Sequence, residues 1–364
     1  LSALRLAGGR AAAEDNAAIL ELQHGAHEPR RRGFTLQQLE LSLLGEAGPH
    51  LRGELHVILA LAPEDGETEV ELEEAFAQVI DLPGGLELEV GHFFTEFGLL
   101  NPLHPHAWDF VDRPVVVTRF LGPDGMRAPG LRVGWTAPTD FPLRVHAGMQ
   151  NAEGETMPGF LGDPERAVGR PAVERDVESM EDLVFLVRVE AASAGDEPWR
   201  RGAGLSAAFG PNATGPDGRT ILYGVDVFVR RRPAAHDEGW PFFSAQAEFV
   251  GRSYRADAFD DGTTSFSRRT FDDHGFYLQA LHGWRRPWAA GLRGEFATGE
   301  GSDARDDPLR DDRLRLSALL LYQAADAARV RLQLNWDDSQ ALGSAFSVWM
   351  VFEMGFGRHG SHAH

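Results

Sequence analysis

Residues 313–357 alternate apolar and polar side chains with a period of two through three consecutive runs, and this pattern constrains the chain more than any other. In the last run Phe346, Val348, Met350, Phe352, Met354 and Phe356 take every second place, with Ser347, Trp349, Val351, Glu353, Gly355 and Gly357 between them. The middle run sets Val330, Leu332, Leu334 and Trp336 against Arg329, Arg331, Gln333, Asn335 and Asp337. The first sets Leu314, Leu316, Ala318, Leu320 and Tyr322 against Arg313, Arg315, Ser317 and Gln323, with Leu319 and Leu321 also on the second face. Such alternation means strands with one face in an apolar medium and the other mostly wet. A soluble sandwich gives the same pattern. Strand length, aromatic ends (Trp336, Tyr322, Phe356) and paired arginines on the wet face favour strands that cross a bilayer. Those need ~9–11 residues, apolar outside and polar inside, with aromatic girdles.

The rest of the chain repeats the pattern at short spacing. Strands are expected at 34–44, 51–61, 68–79, 86–94, 129–137, 142–150, 182–191, 199–209, 219–231, 241–254, 274–284 and 287–297. Leu39, Leu41 and Leu43 alternate with Glu40 and Ser42, and Pro83-Gly84-Gly85 marks a tight turn. The run ETEVELEEAF is so acidic that its phase is open. Residues 1–15 read as a flexible segment, and Ala18–His24 as a weak strand. With it the count is about sixteen, in keeping with the even number usual in single-chain bacterial barrels. The domain reading is therefore one transmembrane β-barrel over 16–357, with a His-containing tail at 358–364 and no second domain or plug.

Composition narrows the function. The 364 residues are 43% apolar and 25% charged, and no run approaches the ~20 apolar residues of a membrane helix. A barrel evades that test, because half of each strand faces water. Cysteine is absent, which excludes disulfides and thiol chemistry. All 35 basic residues are arginine, which a GC-rich genome explains most simply. The net charge of −20 disfavours nucleic acid as a partner. No signal peptide is visible, as expected of a mature chain or one lacking its targeting segment.

One segment breaks the strand pattern: 95–128, TEFGLLNPLHPHAWDFVDRPVVVTRFLGPDGMRA, with four prolines and several aromatics. A loop this long in a compact domain is usually functional or disordered, and its aromatic content argues against disorder. The stretch HFFTEFGLLNPLHPHAWDFVDRP followed by FLGPDGMRAPG, together with LQQLELSL and the EEAF–LPGGLELEVGHFF hairpin, resembles a family of bacterial outer-membrane proteins often labelled zinc-regulated outer-membrane receptors. These are similar to the phosphate-selective, sixteen-stranded porins. The resemblance extends over most of the chain and implies an all-β, antiparallel outer-membrane barrel of a Gram-negative-type bacterium, acting as a channel, with a homotrimer as its common assembly. The chain departs from the pattern at its end, where GRHGSHAH follows Phe356 instead of a terminal aromatic. The tail is then an addition, or terminal residues lie beyond the sequence.

Folded into the lumen, segment 95–128 would set a constriction with Glu96, His104, His106, Asp109, Asp112 and Arg113, because channels select by charge at close quarters. The bland counterpart is that Phe97, Trp108 and Phe110 pack and the loop's charges only satisfy its backbone. Arg132, Arg144, Arg293, Arg313, Arg315, Arg329 and Arg331 point inward from the wall. They either line an anion path or pair with acids such as Glu248, Glu295 and Asp226 in a rigid network. Histidines cluster at His24/His27, His104/His106 and His359/His362/His364. The sequence puts a metal site, zinc or another divalent ion, on His104, His106 and Asp109 or on the tail His359, His362 and His364. No cofactor is otherwise expected. Nothing in the Ser and His spacing singles out a catalytic triad, and no phosphate-binding glycine motif joins a strand to a helix. The expected function is a porin-like channel for small hydrophilic solutes or ions, a non-enzyme in contact with outer-membrane lipid. Its counterpart is a structural or metal-capturing barrel with a closed lumen.

Overall fold

The computed structural model describes residues 3–13, 16–63, 65–162, 166–173, 175–193, 198–232, 239–299, 311–339 and 343–356. Sixteen antiparallel strands form one closed barrel. They are β1 (Ala3–Ala11), β2 (Gly33–Ala47), β3 (Leu51–Leu61), β4 (Thr68–Leu82), β5 (Leu86–Phe94), β6 (Arg127–Thr136), β7 (Leu143–Asn151) and β8 (Leu183–Ala192). The second half comprises β9 (Trp199–Pro211), β10 (Arg219–Arg231), β11 (Phe242–Ala256), β12 (Arg269–Arg285), β13 (Trp288–Ala297), β14 (Arg313–Ala325), β15 (Ala328–Ser339) and β16 (Gly343–Gly355). Each strand pairs with its neighbours in sequence, and β1 closes the ring on β16 in the register Ala3↔Gly355 to Ala11↔Ser347. The barrel itself leaves no sheet edge, which is what a strand-built membrane span requires.

The alternation sorts the two faces. Outward residues of the last strands stay open, with Leu334 at 53% and Phe346 at 64% exposure, whereas the intervening Trp349 and Val351 are fully buried. Trp135, Trp199, Trp284 and Tyr322 ring the short-turn rim, where Trp288 meets Tyr322 edge to face at 4.8 Å. The band is apolar, aromatic at its margin and contiguous around a closed wall; its medium is lipid. Short turns such as 83–85 and 286–287 lie at the rim holding Ala3 and Gly355, and the long connections lie at the other. Barrels of this kind place short turns toward the periplasm and long loops outside.

Two expectations fail at the N-terminus. Within 1–15, expected as a flexible segment, Ala3–Ala11 form β1. Ala18–His24 is not a strand, since Asn16–Leu22 form a short helix, α1. The two errors cancel, so the count of sixteen is right for a wrong reason. β1 is hard to see because its inward positions Ala3, Ala7 and Ala11 are small and only Leu4 and Leu6 mark its outer face. Its glycines serve close approach: a Cβ on Gly9 would come within 2.2 Å of the Val348 carbonyl oxygen and 2.4 Å of the Trp349 ring.

Candidate functional site

Segment 95–126, between β5 and β6, folds into the barrel. Its neck is tied by Thr95 N–H donating to the Met126 carbonyl at 2.9 Å, and by Asn101, whose amide nitrogen donates to the carbonyls of Thr95 (2.7 Å) and Met126 (3.0 Å). Beyond the neck, Gly98 adopts φ +64°, and the next two amides, of Leu99 and Leu100, converge on Glu248 Oε1 at 2.7 and 2.9 Å. Tyr277 donates to the same oxygen at 2.8 Å. A short helix, α2 (Val115–Leu121), presents its first free amide, Val115 N–H, to Glu295, as an uncapped helix start demands. Phe97, Val116 and Phe120 pack against Leu186, Leu222 and Val250 of the wall and against Met157 and Phe160 of the 152–182 connection. The segment is thus a packed element.

Asp112 is its main anchor. The carboxylate is fully enclosed and accepts from Arg293, from Arg315 at 3.2 Å, from Gln333 at 2.7 Å, from Asn335 at 3.1 Å and from Gln23 at 3.4 Å. Burial alone would raise its pKa, but Arg293 and Arg315 outweigh that and hold it down at about 2. Three further wall arginines grip the segment's backbone. Arg331 donates to the carbonyls of Trp108 (2.7 Å) and Phe110 (2.9 Å), and Arg329 to that of His106 (2.6 Å). Arg5 reaches Val111 at 3.0 Å. Arg313 and Arg315 donate to the Leu22 carbonyl at the end of α1 and share Asp337 at 2.7 Å each, so the 12–32 connection is drawn inward too. Glu28 in that connection accepts from Arg113 N–H at 2.8 Å; burial, then the nearby Asp112 charge, lifts its pKa to about 7.

The expected constriction residues separate into groups. Glu96 pairs with Arg132 at 2.8 Å, and Arg132 also holds Glu89 at 2.8 Å. Arg144 pairs with Glu87 at 2.9 Å. Arg113 faces no passage: its guanidinium is buried against the Trp108 ring at 4.8 Å, the packing role open to that tryptophan. Asp109 lines a cavity with its carbonyl 3.4 Å from Arg331, and among the described residues no set of three ligand atoms within 4.8 Å of one another joins it to His104 and His106. His104 sits between Glu73 (2.7 Å) and Glu74 (2.8 Å), and His106 meets Glu40 at 2.8 Å. Burial pushes the His104 imidazole toward its neutral form, but the Glu73 and Glu74 carboxylates overcome this and hold its pKa well above the ordinary range. The tail residues His359, His362 and His364 lie outside the described residues.

Two consecutive glutamates face inward because β4 carries a bulge: His56 pairs with Glu74 and Val57 with Leu72, leaving Glu73 as the extra residue. The signal is in the sequence, since the outward apolar positions change parity from Val70 and Leu72 to Ala75, Ala77 and Val79. Glu40, His56, Glu73, Glu74, Asp337, Glu353 and Arg188 are residues of the candidate site that reasoning on the isolated motifs does not find.

Beside the inward segment lies a cavity of about 630 Å³, extending toward the short-turn rim. Glu96, Asp109, Glu190 and Asp226 meet Arg144, Arg188, Arg200, Arg230 and Arg232 along it. Arg188 is held by Asp226 at 2.6 Å, while no carboxylate lies within ion-pair distance of Arg200, Arg230 or Arg232 among the described residues. The fold comparisons agree on the barrel architecture. The chain superposes on a loop-deletion form of OmpT from Vibrio cholerae with a TM-score of 0.54 and 11% identity, over 98% of this chain and 97% of that one. On OprB from Pseudomonas putida the TM-score is 0.53 with 12% identity, over 97% and 92%. The chain shares the closed, sixteen-stranded antiparallel barrel fold of these proteins. No family model matches the chain. An uncharacterised protein of Aquifex aeolicus is 27% identical over 343 residues, 86% of this chain, which spans 66% of that relative's length.

Proposed function

We propose that the protein is a porin-like channel through which small hydrophilic solutes or ions diffuse passively, narrowed by segment 95–126. The observation that carries this reading is the charged cavity beside a segment held by wall arginines and carboxylates. Such a segment leaves a defined, polar passage, and close charges at a narrow point are how pores select. Fixed pairs such as Arg132–Glu96 and Arg188–Asp226 would balance the two signs there, with Arg200, Arg230 and Arg232 biasing the periplasmic mouth toward anions. A homotrimer is part of the proposal; one solved form of OmpT from Vibrio cholerae, 10% identical with a TM-score of 0.54, is a trimer. A second reading, a closed structural barrel, is favoured by the apolar packing of Phe97, Val116 and Phe120 across the outer half of the lumen. Removing part of 100–112 separates the two in planar bilayers. A narrowed channel conducts before the deletion and conducts more after it. A closed barrel is silent before and opens from nothing.

A further inference from the structure

Away from the cavity, where the inward segment meets β2, β3 and β4, three imidazoles lie among four carboxylates. His104, enclosed to 1% exposure, bridges Glu73 and Glu74; His56 approaches Glu54 at 3.2 Å and Glu40 at 3.5 Å; His106 meets the other oxygen of Glu40. The His56 and His104 rings are 4.6 Å apart, and His104 stacks on His106 at 5.6 Å. The four carboxylates outnumber the three imidazoles, so the cluster keeps net negative charge even with every ring protonated, and proteins neutralise such enclosed charge by partners or metal. One oxygen of Glu73 is buried with no hydrogen-bond partner, so the carboxylates are not fully satisfied by the histidines.

We infer that Glu40, His56 and His104 form a divalent transition-metal site that staples the inward segment to the barrel wall, with Glu74 placed to complete it. One ligand atom from each of Glu40, His56 and His104 lies within 4.8 Å of the others, all three residues are buried, and Glu74 Oε2 is 2.8 Å from His104 Nε2. Tetrahedral ligands at zinc distances are roughly 3.3 Å apart, so modest rotation of the two rings closes the set. Imidazole with carboxylate suits zinc and its first-row neighbours, whereas magnesium and calcium prefer oxygen alone and copper(I) prefers sulfur. His56 faces Glu40 with Nδ1, and Glu54 Oε2, 3.2 Å from its other nitrogen Nε2, is the kind of outer partner that fixes a ligand's tautomer. Because His104 comes from segment 95–126 and Glu40 and His56 from β2 and β3, the ion would tie loop to wall. The inference does not depend on whether the barrel conducts.

The test is zinc chloride titrated calorimetrically into the full, detergent-folded chain after chelator treatment, with magnesium chloride as the control. One saturable zinc per barrel is expected, with no heat from magnesium. His56→Ala and His104→Ala should each weaken binding about 100-fold or more, while a His359→Ala, His362→Ala, His364→Ala triple variant binds like the parent. Where an alanine variant fails to fold, Glu40→Gln keeps the shape and removes the charge, and should weaken binding as well. X-ray absorption at the zinc edge should show two imidazole nitrogens with oxygen ligands at about 2.0–2.1 Å. No stoichiometric uptake by the parent overturns the site, as does uptake that survives Glu40→Gln and His56→Ala but vanishes in the tail variant.

Discussion

Truncating Asp112 to alanine probes the inward segment at its best-defined anchor. The wild-type carboxylate gathers Arg293, Arg315, Gln333, Asn335 and Gln23 from three strands and α1's connection. Losing one partner of a buried charge network costs about 3–5 kcal/mol. Here the loss is tempered, because Arg293 keeps Glu295 at 2.9 Å and Arg315 keeps Asp337 at 2.7 Å. A loss near 3 kcal/mol still shifts the docking equilibrium of the segment by about two orders of magnitude. The strand ladders are untouched, so the barrel itself should stay closed. Two assays read this together: protease cleavage within 100–112 on folded protein, and unitary conductance in planar bilayers. Faster cleavage with larger or noisier steps is expected. Unchanged protection and unchanged conductance, in a folded variant, would refute the idea that Asp112 holds the segment.

Other perturbations test separate links. Glu28 has its pKa raised from an ordinary 4.5 to about 7, so its contribution to stability is present below 4.5 and lost as pH rises through 7. Glu28→Gln should therefore gain up to about 3 kcal/mol over the parent at pH 8 and nothing at pH 4, measured by denaturant titration; equal midpoints at pH 8 would contradict it. Gly98→Ala forces a side chain onto φ +64° with its Cβ 2.3 Å from Glu248, so the Leu99 and Leu100 amides should exchange hydrogen faster; unchanged exchange rates would dismiss the Glu248 cradle. Leu334→Arg puts a charge on the lipid face and should cost about 2–4 kcal/mol in urea titrations of protein folded into vesicles, unless that face is not in lipid after all.

The wall was legible in the sequence because strands from β2 onward obey a period-two rule that lipid outside and water inside enforce. β1 was not, since packing against α1 and the inward segment selects Ala7 and Ala11, and small residues carry no hydropathy signal. The inward loop was legible as a break in that rule with aromatics and prolines, and several of its charged residues do meet the wall. Their partners were hidden for two physical reasons. The β4 bulge flips the parity of a strand made mostly of acids, concealing Glu73 and Glu74. The pairings of Asp112 with Arg293 and Arg315 span some 180 to 200 residues of chain, a proximity fixed by barrel closure that no local spacing encodes. The wall arginines, which the sequence left open between an anion path and a paired network, largely hold backbone carbonyls and acids, which leaves Arg200, Arg230 and Arg232 as the cavity's arginines without a carboxylate at ion-pair distance among the described residues.

The most direct test of a narrowed conduit is the current through single wild-type barrels in a planar bilayer under a salt gradient. The account predicts discrete steps, with a reversal potential on the anion-selective side set by Arg200, Arg230 and Arg232 and moved toward zero when the three are neutralised. Silence from correctly folded, inserted protein would contradict the channel and leave the closed barrel in its place.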